Sequence, residues 1–154
     1  MTKRFLLALL LLLPLAARAQ TEAQPELPKE RLVIVTRDGT RHEFNVEMAL
    51  TPEQQTVGLM WRTSVPPDGG MLFDWGTPRN STMWMRNTVV PLDMVFINAD
   101  GTIRRIAENT TPRDEQNIID SRGPVRATLE LQAGTAKRLG LHVADRVEQR
   151  IFGK

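Results

Sequence analysis

Arg62, Arg86, Asn87, Thr88, Asp93 and Glu130 are polar residues set inside or beside apolar runs, with Trp84 two residues before Arg86. Asp93 is the sharpest case. If Leu92, Met94 and Phe96 point to one face of a strand, Asp93 points to the other with Val95 and Ile97, which are equally apolar. A carboxylate in that position is expected to be shielded from water and neutralised by a guanidinium, from Arg62 or Arg86. Convergence of these residues would build a pocket in which arginines grip a carboxylate, a phosphate or sugar hydroxyls while Asp93 orients them. The competing reading is an internal ion-pair network that fixes strand register and needs no ligand.

Other chemistry is weaker. Asp93 and Glu130 are the candidate carboxyl pair for a hydrolase acting on saccharide or cell-envelope material, which needs a separation of ~5 to 9.5 Å across a groove. Neighbouring arginines would hold both ionised, which suits a nucleophile and not an acid. Trp61, Trp75 and Trp84 offer faces for sugar stacking, but Trp75 shares a strand face with Met71 and Phe73 and reads as core. Met60, Met71, Met83, Met85 and Met94 offer thioethers for Cu(I), yet methionine also fills core gaps. His42 and His142 are too far apart in sequence to imply a metal site. No nucleophile elbow, phosphate loop or dinucleotide fingerprint occurs, so no cofactor and no metal is expected.

Residues 1–19 have the parts of a secretion signal: Lys3 and Arg4, an apolar stretch over 5–15, and Ala17-Arg18-Ala19 before Gln20. Cleavage there implies a periplasmic or secreted protein with no stable membrane span. An uncleaved anchor is the alternative, although Pro14 interrupts a run already short for a bilayer. Without the leader, 17 Lys and Arg face 18 acids, so the basic balance belongs to the leader and no basic stripe suggests nucleic acid. The absence of cysteine excludes a lipid-anchored lipoprotein, disulfides, thiolate metal sites and a cysteine nucleophile.

Residues 20–30, with Pro25 and Pro28, read as a flexible linker, and 31–154 as a single domain. A hairpin turns at Asp38-Gly39, and Thr51-Pro52-Glu53-Gln54 opens a helix expected to reach about Trp61 with Val57 and Met60 or Trp61 buried. Strands are expected over 71–75 and 82–87, separated by a polar loop, then over 92–98 and 102–108 around Asp100-Gly101. Residues 109–124 read as a long loop that could dock a partner, which would leave the polar cluster structural. A strand over 125–131, a helix over 133–139 stopped by Gly140, and a strand pair turning at Ala144-Asp145 complete the chain. The sum is a mostly β domain, an antiparallel β sandwich or barrel with two short helices.

The blocks Gly58-Leu59-Met60-Trp61-Arg62, Gly70-Met71-Leu72-Phe73, Trp84-Met85-Arg86-Asn87-Thr88, Pro91-Leu92-Asp93 and Leu129-Glu130 occur in an order that resembles the domain-of-unknown-function 192 family, an exported or membrane-associated group. The resemblance covers about 31–152 and implies a jelly-roll-like β domain, with no activity attached. Its recurrent polar positions fall on Arg62, Arg86, Asn87, Thr88, Asp93 and Glu130. Arg86 stands where lysine is common, and Ala144 where glycine usually precedes the aspartate. The functional expectation is a binding or accessory module for a small polar molecule or a protein partner.

Overall fold

A computed structural model describes residues 21–153, so the expected leader lies outside the described residues. Strands β1 (Lys29–Val35), β2 (Arg41–Ala49), β3 (Met71–Met83), β4 (Leu92–Ile97), β5 (Ile103–Ala107), β6 (Ile119–Gln132) and β7 (Arg146–Glu148) form one sheet with helices α1 (Pro52–Val57) and α2 (Thr135–Leu139). The strand order is β5-β4-β6-β3-β2-β1-β7, and a bridge between Thr102 and Arg146 brings the two ends together into a nearly closed barrel. Every strand pair is antiparallel except β2 with β3. Their connection carries α1 and a crossover long enough to return the chain in the same direction.

Both faces of the sheet are buried at its centre. Leu32, Ile34, Phe44, Val46 and Leu129 fill the barrel interior. Met71, Phe73, Leu92, Met94 and Phe96 form a second cluster outside it, covered by Leu59, Val65 and Met85 from the segments that follow α1 and β3. The alternation expected for 92–97 is therefore correct, with Asp93, Val95 and Ile97 directed inward.

Several expected boundaries move. The capping box on Thr51 forms as anticipated, but Gly58, at φ 51°, ends α1 after six residues and none of them is buried. The apolar stripe lies instead in the next turn, where Leu59 and Met60 are buried. Strand β3 runs through the expected loop at 76–81, and residues 84–87 leave the sheet as a turn. Its partner β6 starts at Ile119, within the stretch expected to be unstructured. Gly76, Pro78, Gly123 and Pro124 hide these strands because they sit where the β3–β6 register shifts between Asp74 and Arg79 and around Asn80, places where bulges accept such residues.

The 20–30 linker expectation also changes. Gln24 donates to the carbonyls of Gln54 and Gly58, Leu27 N–H donates to Glu47, and β1 begins at Lys29, so the segment from residue 24 is tied to the domain. At the other end only residues 146–148 form a strand, paired with β1, and a 3-10 turn over Arg150–Phe152 follows. Ala144 adopts φ 75°, a left-handed geometry that favours glycine.

Gly70 shows how tightly the crossover meets the sheet. At φ 151°, its missing Cβ would overlap the carbonyl oxygen of Glu130, a backbone atom that cannot swing away. Gly70→Ala should lower unfolding free energy by about 3 kcal/mol, read by urea titration; an unchanged midpoint would contradict this packing.

Candidate functional site

The sheet register separates the two carboxyls expected to work together. Asp93 lies opposite Leu131, while Glu130 lies opposite Met94 on β4 and Met71 on β3. Successive residues face opposite ways, so Asp93 points into the barrel and Glu130 to the outer cluster. The acid pair is not assembled.

Asp93 is fully buried, as expected, but among the described residues no guanidinium pairs with it. Its Oδ1 accepts from the N–H of Asn109 at 2.9 Å and its Oδ2 from the N–H of Ala136, at the start of α2, at 2.8 Å. Backbone donors replace the arginine because both connections that close this end of the barrel present free amides there. Asp145 repeats the device: it is 2% exposed and accepts from the N–H groups of Arg37 and His142. Sequence reading missed it, although the Ala144-Asp145 turn marked the place.

The other expected site residues scatter. Arg62 pairs with Glu47 at 2.9 Å, and Glu47 also accepts from Leu27 N–H at 2.8 Å. Arg86 is exposed, 4.0 Å from Glu115 and 5.5 Å above the Trp84 ring. Asn87, at φ 56°, ties the turn to the segment after α1 through its carbonyl and the N–H of Trp61 at 2.9 Å, and its amide lies 3.8 Å from the Met60 sulfur. Thr88 is buried, with its hydroxyl donating to the Arg86 carbonyl at 3.3 Å.

What the structure does bring together is Glu130, Thr88 and Trp84, in a cleft of about 600 Å³ between α1, its following turn and the outer faces of β3 and β6. Met60, Phe73 and Met83 add apolar wall, and Trp75, Arg79 and Ile118 reach the same space. Trp84 and Ile118 are 40% and 55% exposed. The guanidinium of Arg79 lies 4.3 Å above the Trp75 ring. Trp75 packs on Phe73 as a core residue would, and its ring N–H donates to Thr128 at 3.2 Å, yet it also lines the cleft. Arg79 and Ile118 were missed because they fall in segments that read as loop.

Glu130 is the unusual group. It is 4% exposed, with Met71 and Met94, both fully buried, on either side of it. Burial pushes its carboxyl up to about 8, with no charge or hydrogen bond among the described residues opposing the shift. At neutral pH it is therefore a protonated acid, with a donor and an acceptor directed at the cleft. A neutral carboxyl can bind and orient a polar group through its donor and its acceptor. Among the described residues no cluster of His, Asp or Glu has the makings of a metal site.

The family model DUF192, described as an uncharacterised ACR, matches residues 33–149. The chain belongs to this family. A solved protein from Sinorhizobium meliloti 1021, described provisionally as a transcription regulator, is 51% identical and superposes with a TM-score of 0.80 over 83% of this chain and 98% of its own. A protein of unknown function from Novosphingobium aromaticivorans DSM 12444 is 40% identical, with a TM-score of 0.76 over 80% of this chain and 86% of its own. Among curated proteins none matches the chain. In this DUF192 domain the motif Leu129-Glu130 thus puts its carboxyl in a cleft, and Pro91-Leu92-Asp93 puts its own in a structural clasp.

Two outcomes test these roles. Asp93→Ala strands the buried amide of Ala136 and the part-buried amide of Asn109 and should cost about 2 to 4 kcal/mol in chemical denaturation, whereas Asp93→Asn keeps one acceptor and should cost less. For Glu130, the unfolded carboxyl ionises near 4.5 while the folded one stays protonated to about 8, so native stability falls as pH rises through that window and levels off above it. Glu130→Gln should abolish that slope and exceed the parent in stability at pH above 8, by up to about 4 kcal/mol; parallel pH profiles for the two proteins would show that Glu130 does not hold its proton.

Proposed function

We propose that this protein is an exported, non-enzymatic binding module whose cleft takes a small molecule with an apolar body and one polar group that meets Glu130. The observation that carries the reading is a carboxyl buried on the cleft wall with no bonding partner among the described residues. Leaving such a group unmet costs stability, and a ligand that bonds it recovers that cost. Cleft size and lining fit this use, since small-molecule sites are concave, mostly apolar and carry few polar groups. Arg79 adds a cation at the mouth with an aromatic face as its contact, so a ligand whose outer end is anionic has a counter-charge there.

Compared with the sequence-based expectation, the ligand site moves away from Arg62 and Asp93 and keeps Trp84, Thr88 and Glu130. The hydrolase reading loses support because Asp93 and Glu130 occupy opposite faces. Export rests on the leader-like residues 1–19.

A fluorescent naphthalene sulfonate, apolar in its body and anionic at one end, is the first probe. Its emission should rise saturably with the parent protein and with Arg62→Ala, and weaken with Trp84→Ala and Arg79→Ala. Small molecules that displace it should raise the melting temperature of the parent more than that of Glu130→Leu, which removes the polar contact. Equal dye binding by the Trp84 and Arg79 variants would place the dye elsewhere and remove this assignment.

A further inference from the structure

Strand β5 lies at one end of the strand order, and the bridge from Thr102 to Arg146 is the strand contact that joins it to the other end. Ile103 still exchanges backbone bonds with the β7 side, donating to Asp145 and accepting from Ala144, each at 2.8 Å. Among the described residues, the strand from 104 to 107 pairs with β4 alone. Its other edge borders an open groove of about 730 Å³ lined by Thr102, Arg104, Arg105, Ile106, Arg122 and Val143. Val143 is 50% exposed there.

The charged residues that line this groove are all arginines. Arg105 is paired with Asp120 at 3.0 Å. Arg104 and Arg122 form no ion pair with a carboxylate among the described residues. Arg104 is nevertheless fixed: its guanidinium donates to the Arg122 carbonyl at 3.1 and 2.8 Å and to Asn98 at 3.4 Å. It lies so flat on Gly123 that any Cβ at that position would overlap it. A guanidinium held by neutral acceptors keeps its full charge and is already oriented for an anion.

We propose that the free edge of β5 docks an extended acidic segment of a partner protein, which adds a strand to the sheet and sets carboxylates against Arg104 and Arg122. An open edge offers the backbone bonds, and the groove beyond it offers room for alternate side chains. These arginines select among occupants: two copies of this chain meeting edge to edge would oppose arginine to arginine. Duplex DNA would meet the guanidinium groups but leave the edge amides unpaired, so it is the less complementary anion.

The test uses the intact protein and a labelled, capped peptide alternating glutamate and valine, followed by fluorescence anisotropy. Binding should saturate, weaken as salt screens the charges, and move the backbone amide resonances of residues 104–107. Arg122→Glu, at an exposed position, should leave the melting temperature unchanged and weaken binding by about tenfold or more. Arg79→Ala, in the other cleft, should bind the peptide as the parent does. Equal binding of a lysine–valine peptide, indifference to Arg122→Glu, resonance shifts confined elsewhere, or capture of duplex DNA in preference to the peptide would each overturn the proposal.

Discussion

Strands β4 and β6 are buried on both faces, and most of what is unusual about this domain follows from that constraint. Every residue of β4 and every residue over 127–131 of β6 is buried. Two-sided burial allows no wet face on which to place a charge, so each carboxyl in these strands must either be bonded or lose its charge. Asp93 takes the first course, inside the barrel, where amides from two connections meet it. Glu130 takes the second, outside the barrel, where methionines flank it and no donor arrives.

This division explains why the polar residues of the central motif do not form one centre. Each takes a different partner: Arg62 pairs with Glu47, Asn87 bonds through the turn after α1, and Asp93 accepts from backbone amides. Glu130 is left facing open volume. A protonated acid among thioethers and aromatic rings offers hydrogen bonding rather than charge.

Much of the architecture was legible. Alternation in 92–97 and in 125–131, the turns at Asp38-Gly39 and Asp100-Gly101, the capping box at Thr51 and the stop at Gly140 all occur where local chemistry puts them. The long β3–β6 ribbon was not legible, because glycine and proline at its register shifts imitate loop signals that only a paired partner strand overrides. Burial of Asp93 was readable from its neighbours, but its partners were not: backbone amides have no signature in the side-chain sequence. The opposed directions of Asp93 and Glu130 depend on how β4 and β6 align, a long-range property that neither strand encodes alone.

The sulfur atoms near Glu130 bear on what the cleft can recognise. Met71 and Met94 flank the acid along the sheet, and Met60 and Met83 line the space it faces. Unbranched thioethers change rotamer at little cost, so a guest bound as proposed would meet walls able to reshape around its outline, with the Glu130 proton as the fixed contact. The same lining is open to oxidation: a sulfoxide at Met60 or Met83 would be a strong internal acceptor, able to meet that proton from within the protein.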